Sequence, residues 1–313
     1  MALGTPIAFI IFNRPSVTAE VFEAIRSVRP KRLLVIADGP RSDIEHPDQE
    51  AQLVAQTRQI IETVDWECEV LTNFANENMG CKQRVATGLD WAFEQAEELI
   101  VLEDDCLPCP TFFPYCEQLL ERFRDDPRVM MISGDNFQDQ SRTEASYYFS
   151  RWAHIWGWAS WRRAWQHFDL ELSSWPSLKQ SRRLQPVFDS LEEYEYWASV
   201  LDRQRAGEID TWDFPWAYAC WQQRGLTVLP DQNLVSNLGF GPEATHTQDP
   251  SSRLANLPTK PLYELVHPNE VAPNREADRF TWETIFRPVQ REASPVRTIR
   301  EPSWLRKWFS FAK

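Results

Sequence analysis

At 313 residues the chain has length for one large α/β domain or two smaller ones, and its 42% hydrophobic and 25% charged residues argue for a packed core over wholesale disorder. A formal net charge of −13 would repel a phosphate backbone, which sets nucleic-acid binding aside. No run reaches the roughly 20 apolar residues of a bilayer span, no Asn-x-Ser/Thr sequon occurs, and six cysteines are too sparse for a disulfide scaffold.

The opening "MALGTPIAFIIF" lacks a basic n-region, and its apolar run, residues 7–12, is too short for a secretory signal. A reducing cytoplasm is the expected compartment. The same run reads as a first strand, followed by Asn13, Arg14 and Pro15, then by a helical pattern over 16–28. A second strand at 33–37 ends in Asp38 and Gly39 and leads to a helix over 47–64. A third, at 68–71, precedes "NFANENMG" and a helix over 80–97 that carries Arg84. A fourth, at 99–102, runs into Glu103, Asp104 and Asp105, then Cys106 and Cys109, then a helix over 111–124 and a strand at 129–133. Alternation of this kind predicts an α/β fold with a mostly parallel sheet and helices on both faces. In such sheets ligands sit beyond the carboxyl ends of the strands, so the polar residues after each strand should gather at one mouth.

The acidic triplet has two readings. Three adjacent carboxylates after a buried strand repel one another and suit a hard divalent cation shared with substrate phosphates; they also suit a solvated strand end. Cys106 and Cys109 lack the setting of a redox pair, since two aspartates precede them, and no second ligand pair completes a zinc site. They read as packed thiols.

Ten of the fifteen tryptophans fall between Trp152 and Trp221, marking a distinct subregion. In "WGWASWRRAW", Trp158, Trp161 and Trp165 are spaced as one face of a helix, with core packing as their default. Trp156 and its aromatic neighbours can pack in the core or wall a sugar site. In "TWDFPW", Asp213 precedes Pro215 and reads as an N-cap or as a general base in an aromatic cleft, where desolvation raises its pKa. His246 follows a Gly-containing loop. Beyond about residue 245 the chain turns Pro-rich, as a wrapping segment would, and it ends in the basic, aromatic "EPSWLRKWFSFAK", a type of segment that contacts a membrane surface or a partner. The expected division is an α/β half over 1–135, a second half of the same domain over 136–248, and a Pro-rich tail over 249–313.

In order, "FNRP", "ADGP", "NMGCKQRVATGLDWAF", "IVLEDDCLPCPTFFPYCEQLLERFRDDPRVMMISGDN", "WGWASWRRAW", "TWDFPW" and "GFGPEATHT" resemble nucleotide-sugar glycosyltransferases of the GT-A fold, in particular the β-1,2-N-acetylglucosaminyltransferase I family and bacterial family-2-like relatives. The resemblance spans roughly residues 5–247 and implies a metal-dependent transfer, with inversion, from an NDP-sugar, a UDP-sugar being the expected donor; it makes 1–135 the nucleotide-sugar-binding half and 136–248 the acceptor-side half. It places the metal, Mn²⁺ or Mg²⁺, on Asp105. It places ribose and donor-sugar contacts on Glu103 and Asp104, the nucleotide near Arg14, the uracil edge at Asp38, and the donor near Arg84. It brings His246 toward the diphosphate, and it makes Asp213 the base, in a segment one residue longer than the family's Trp-Asp-Asp-Trp. The implied acceptor is a glycan or glycolipid. The alternatives are a sugar-phosphate nucleotidyltransferase, although "FIIFNRPSVT" lacks that class's Gly-rich basic loop, and a catalytically silent carbohydrate-binding protein.

Overall fold

The run IAFII forms a strand buried along its whole length, β1 (Ile7–Ile11), as a central strand of a parallel sheet covered on both faces must be. Pro15 then starts α1 (Pro15–Val28) at the position where a missing N–H costs nothing, and Arg29, in the left-handed region, ends it just before Pro30. The computed structural model, which describes residues 2–240 and 252–287, continues through β2 (Arg32–Ala37), α2 (Pro47–Ile61), β3 (Glu69–Phe74), α3 (Cys81–Gln95), β4 (Glu98–Glu103), β5 (Cys106–Pro108), α4 (Phe112–Phe123) and β6 (Val129–Ser133). The second half holds β7 (Tyr147–Ser150), β8 (Trp158–Trp161), α5 (Arg162–Trp165), α6 (Trp175–Gln180), α7 (Leu191–Arg205), α8 (Asp213–Gln222), β9 (Leu226–Pro230), β10 (Val235–Asn237) and α9 (Arg275–Thr281).

Eight strands form one sheet in the order β3-β2-β1-β4-β8-β6-β9-β7, and β10 pairs with β5 in a separate ribbon. The β3-β2-β1-β4 half is parallel throughout; β8 enters antiparallel between β4 and β6, and β7 is antiparallel to β9. The α/β class and the mostly parallel, Rossmann-like sheet expected from the sequence are therefore observed. One face of the sheet is covered by α1, α2 and α4, the other by α3, α5 and α8, giving two apolar layers.

The tryptophan segment differs from its helical reading. Trp158 and Trp161 open and close strand β8, and their side chains enter opposite layers of the core, as an odd spacing on a strand requires. Only Trp165 lies on a helix, and it meets Trp158 with ring centroids 6.1 Å apart. Core packing, the default for these residues, holds; the period does not, because β8 is needed to bridge β4 and β6.

The Trp-rich subregion has its own core, in which Trp152, Trp175, Trp197 and Trp221 pack with α7 and α8 and with Trp282 of the late chain. The buried guanidinium of Arg151 ties it together, pairing with Asp189, Glu193 and Asp278. Residues 252–287 run back over the sheet: Asn274 N–H donates to the Phe149 carbonyl at 2.7 Å, and Val266 N–H to Ser146 Oγ at 2.8 Å. Among the described residues no helix is long and apolar enough to cross a membrane. The basic aromatic end, like His246, lies outside the described residues.

Candidate active site

Strand register decides what meets what at the carboxyl edge of the sheet. Ile10 of β1 stands beside Glu103 of β4, so Arg14, just past β1, reaches the acidic triplet. Its guanidinium forks across two carboxylates, donating to Asp105 Oδ2 from Nη1 at 2.9 Å and to Asp104 from Nε and Nη2. Burial alone would lower the Arg14 pKa, but Asp104 and Asp105 outweigh it and hold the guanidinium firmly charged. Asp104 is buried, and burial raises its carboxyl against the pull of Arg14. Glu103 is pushed up to about 8, first by burial, then by the charges of Asp105 and Asp104.

These three acids line a cavity of about 320 Å³ together with Arg14, Asp38, Arg84 and Trp212. Six of the eight residues singled out as a site from the sequence thus share one hollow. Two of them are already engaged by the fold. Asp38 accepts four hydrogen bonds, from the backbone of Gly39, Met79 and Gly80 and from the Asn78 side chain, which fills its acceptor capacity. Arg84 is buried and donates to the Ala37 and Asn73 carbonyls, tying the ends of β2 and β3 together. Gly80, at φ 78°, supplies the left-handed turn that starts α3 beneath this loop.

Asp213 comes from the other side. It is the first residue of α8, with Trp212 at the N-cap, so the N-cap reading is corrected by one position: Pro215 sits inside the first turn, not at its start. Its carboxylate accepts the Thr211 hydroxyl. Burial pushes it up to about 6, against the pull of that hydroxyl and of the Phe214 N–H. Asp213 and the triplet share an electrostatic environment: the Asp213 charge helps raise Glu103, and Cys81, at the start of α3, is pushed well up first by burial and then by Glu103, Asp213, Asp210 and Asp105.

A second cavity adjoins the first, with Ile155 and Trp156 lining both. Asp213 belongs to its wall, along with Asp135 and His154. Sequence patterning passes over Asp135, His154, Asp210 and Cys81. The strand-end rule carried on to β6 points at Asp135, two residues beyond it; His154 has no signal of its own within an aromatic run. The CxxC thiols are free and buried, Cys106 within the β5–β10 ribbon.

That ribbon shapes the Asp105 side. Leu238 N–H donates to the Asp105 carbonyl at 2.8 Å, and Gly239 lies so close that a β-carbon there would land on the Asp105 carboxylate. The donor set, hard oxygens with Arg14 on one Asp105 oxygen, fits a divalent cation held by a single protein carboxylate and completed by substrate phosphates. Among the described residues no group of three or more His, Cys, Asp or Glu side chains could hold a metal ion.

Fold and site together define an α/β protein with a carboxylate-lined cavity at the carboxyl edge of a Rossmann-like sheet. No protein-family model and no curated protein matches the chain. Among solved structures, the crystal structure of S. aureus TarS residues 1–349 is similar, with a TM-score of 0.42 and 10% identity over 74% of this chain and 60% of that one. The chain thus spans about 60% of the length of that structure.

Proposed function

We propose that the chain is a glycosyltransferase that moves a sugar from a UDP-sugar to an acceptor hydroxyl of a glycan or glycolipid, with inversion. The observation that carries this reading is geometric: Asp210, Thr211 and Trp212, the three residues before Asp213, line the cavity of the acidic triplet, and Asp213 itself lines the adjoining cavity that shares Ile155 and Trp156 with it. A donor bound in the first cavity would meet Arg14, a charge partner for its diphosphate. Glu103 and Asp104 would face the ribose and donor sugar, and Asp38 and Arg84 would fix the base-side wall. Asp105 would hold a divalent cation against the diphosphate, which supplies charge neutralisation for the departing UDP.

Asp213 would take the proton of the acceptor hydroxyl. That oxygen would bond to the anomeric carbon as the carbon–oxygen bond to UDP breaks on the opposite face. A pKa of about 6 places Asp213 where a carboxylate is ionised near neutrality yet a stronger base than an exposed aspartate.

The test is UDP release from a panel of UDP-sugars, with and without Mn²⁺ and with and without candidate acceptors. Metal-dependent UDP release that acceptors accelerate is expected. Pyrophosphate formation would identify a nucleotidyltransferase instead, and binding without turnover a silent carbohydrate-binding protein.

A further inference from the structure

The second cavity contains polar atoms that have no hydrogen-bond partner among the described residues. It has a volume of about 80 Å³, room for roughly half a dozen water-sized groups at ~10–15 Å³ each, the scale of one ring and not of a chain. Its walls are largely aromatic, among them Phe137, Trp156 and Trp197. Asp135 is fully buried; its Oδ2 accepts the Trp156 N–H at 3.0 Å, while Oδ1 has no hydrogen-bond partner. His154 is buried with its ring stacked on Phe137 at 4.4 Å between centroids, and neither ring nitrogen has a partner. Trp197 Nε1 is also unpaired. A buried polar atom left unpaired costs about 1–3 kcal/mol, and among the described residues three residues with such atoms lie on one small cavity beside Asp213, where a guest could supply the missing hydrogen bonds.

Their chemistry narrows the guest. Burial pushes the Asp135 carboxyl well up and the His154 imidazole down to about 3, and both shifts favour the uncharged form. A neutral carboxyl donates and accepts, as does a neutral imidazole, which matches a hydroxyl that does both. No Arg or Lys lines the cavity among the described residues, so an anionic guest would find no countercharge. Aromatic faces suit the C–H face of a sugar ring.

We propose that this cavity is the acceptor site and that it selects an uncharged sugar ring, with Asp135 and His154 as its hydrogen-bonding groups and Asp213 at the reacting hydroxyl. The proposal rests on the reading of Asp213 as the base.

Saturation-transfer NMR and tryptophan fluorescence on the full chain, loaded with UDP and Mn²⁺, test it with methyl glycosides of hexoses and N-acetylhexosamines against the matching uronic acids and 6-phosphates. At least one neutral glycoside should bind about tenfold or more tighter than its anionic counterpart, the cost of a charge without a partner. His154→Phe should weaken that glycoside about tenfold, and His154→Gln, which keeps a donor and an acceptor, should recover most of the loss. Equal binding of neutral and anionic forms overturns the proposal, as does His154→Phe without effect. Should both variants fail to fold, the wild-type comparison alone decides. UDP-sugar hydrolysis with no glycoside binding removes the acceptor site but keeps the transferase; glycoside binding with no UDP-sugar turnover removes the transferase and with it the acceptor role.

Discussion

Asp213, at the start of α8, lies near enough to Glu103, at the end of β4, for its charge to help raise the Glu103 carboxyl. That relationship sets residues from two halves of the chain beside adjoining cavities, and it organises what should happen when either side is changed.

Replacing the base should cost turnover and spare the donor. Asp213→Asn is expected to lose about 10²–10⁴-fold in acceptor-dependent UDP release, with UDP-sugar affinity near that of the parent. In the parent, the rate should climb with pH through about 6 as Asp213 ionises, and this limb should vanish in the variant. Pre-steady-state UDP release across pH 5–8 measures both; a variant with parental turnover ends the assignment.

The same substitution has a stability signature. The folded carboxyl binds its proton more tightly than the unfolded one, whose ordinary value is 3.8, so protonation stabilises the fold at low pH and that contribution is lost as pH rises through about 6. Asn never had it to lose. Relative to the parent, Asp213→Asn should therefore gain stability from pH 4 to 7, by as much as about 3 kcal/mol. Urea unfolding at the two pH values reads the difference, and a gap independent of pH contradicts the placement of Asp213.

Asp105→Ala should abolish metal-dependent UDP-sugar binding while leaving the fold intact. Isothermal titration with and without Mn²⁺ is the measurement, and superimposable curves for parent and variant would sink the metal role.

Gly239→Ala puts a methyl group where the Asp105 carboxylate stands. Overpacking of this kind costs about 1–3 kcal/mol, and here the displaced group is functional. UDP-sugar affinity should fall about tenfold or more, with thermal unfolding lowered by only a few degrees. Parental affinity would show that the β10 ribbon gives way without moving Asp105.

Arg14 is the test of the triplet's cohesion. Arg14→Ala leaves Asp104 buried beside Asp105 without its countercharge, a change worth about 3 kcal/mol or more in stability. Arg14→Lys restores charge but not the fork across two carboxylates, so it should recover only part of the loss. Thermal melts of the three proteins order them directly.

Strands β1 to β4 and β6 and helices α1 to α4 are legible in the sequence because each is a continuous apolar run or a strong amphipathic pattern bounded by Pro, Gly or an acidic turn, whereas the three-residue β5 is not. Their edges fall within about three residues of the expected ones, the usual scatter of element ends. The gathering of Arg14, Asp38 and the triplet at one cavity follows from the strand-end rule, whereas Arg84, on α3, is pointed to by the family resemblance. The strand nature of β8 is not legible: "WASW" is short, its tryptophans satisfy a helical spacing by chance, and its place between β4 and β6 is a tertiary decision. Asp135 and His154 escape for a different reason. What marks them is a buried polar atom with no partner among the described residues, Oδ1 of Asp135 and both ring nitrogens of His154, and such an absence has no local signature.

The late chain also guards the rim of the sheet. β7 pairs with β9 on one side only, and on the other Phe149 is bridged to Pro273 and accepts from Asn274, with Asp278 receiving the Ser150 hydroxyl at 2.5 Å. Strip residues 252–287 away and β7 presents bare N–H and C=O groups flanked by aromatic side chains, the kind of template on which one molecule recruits another. A truncated chain should therefore self-associate, sedimenting as oligomers.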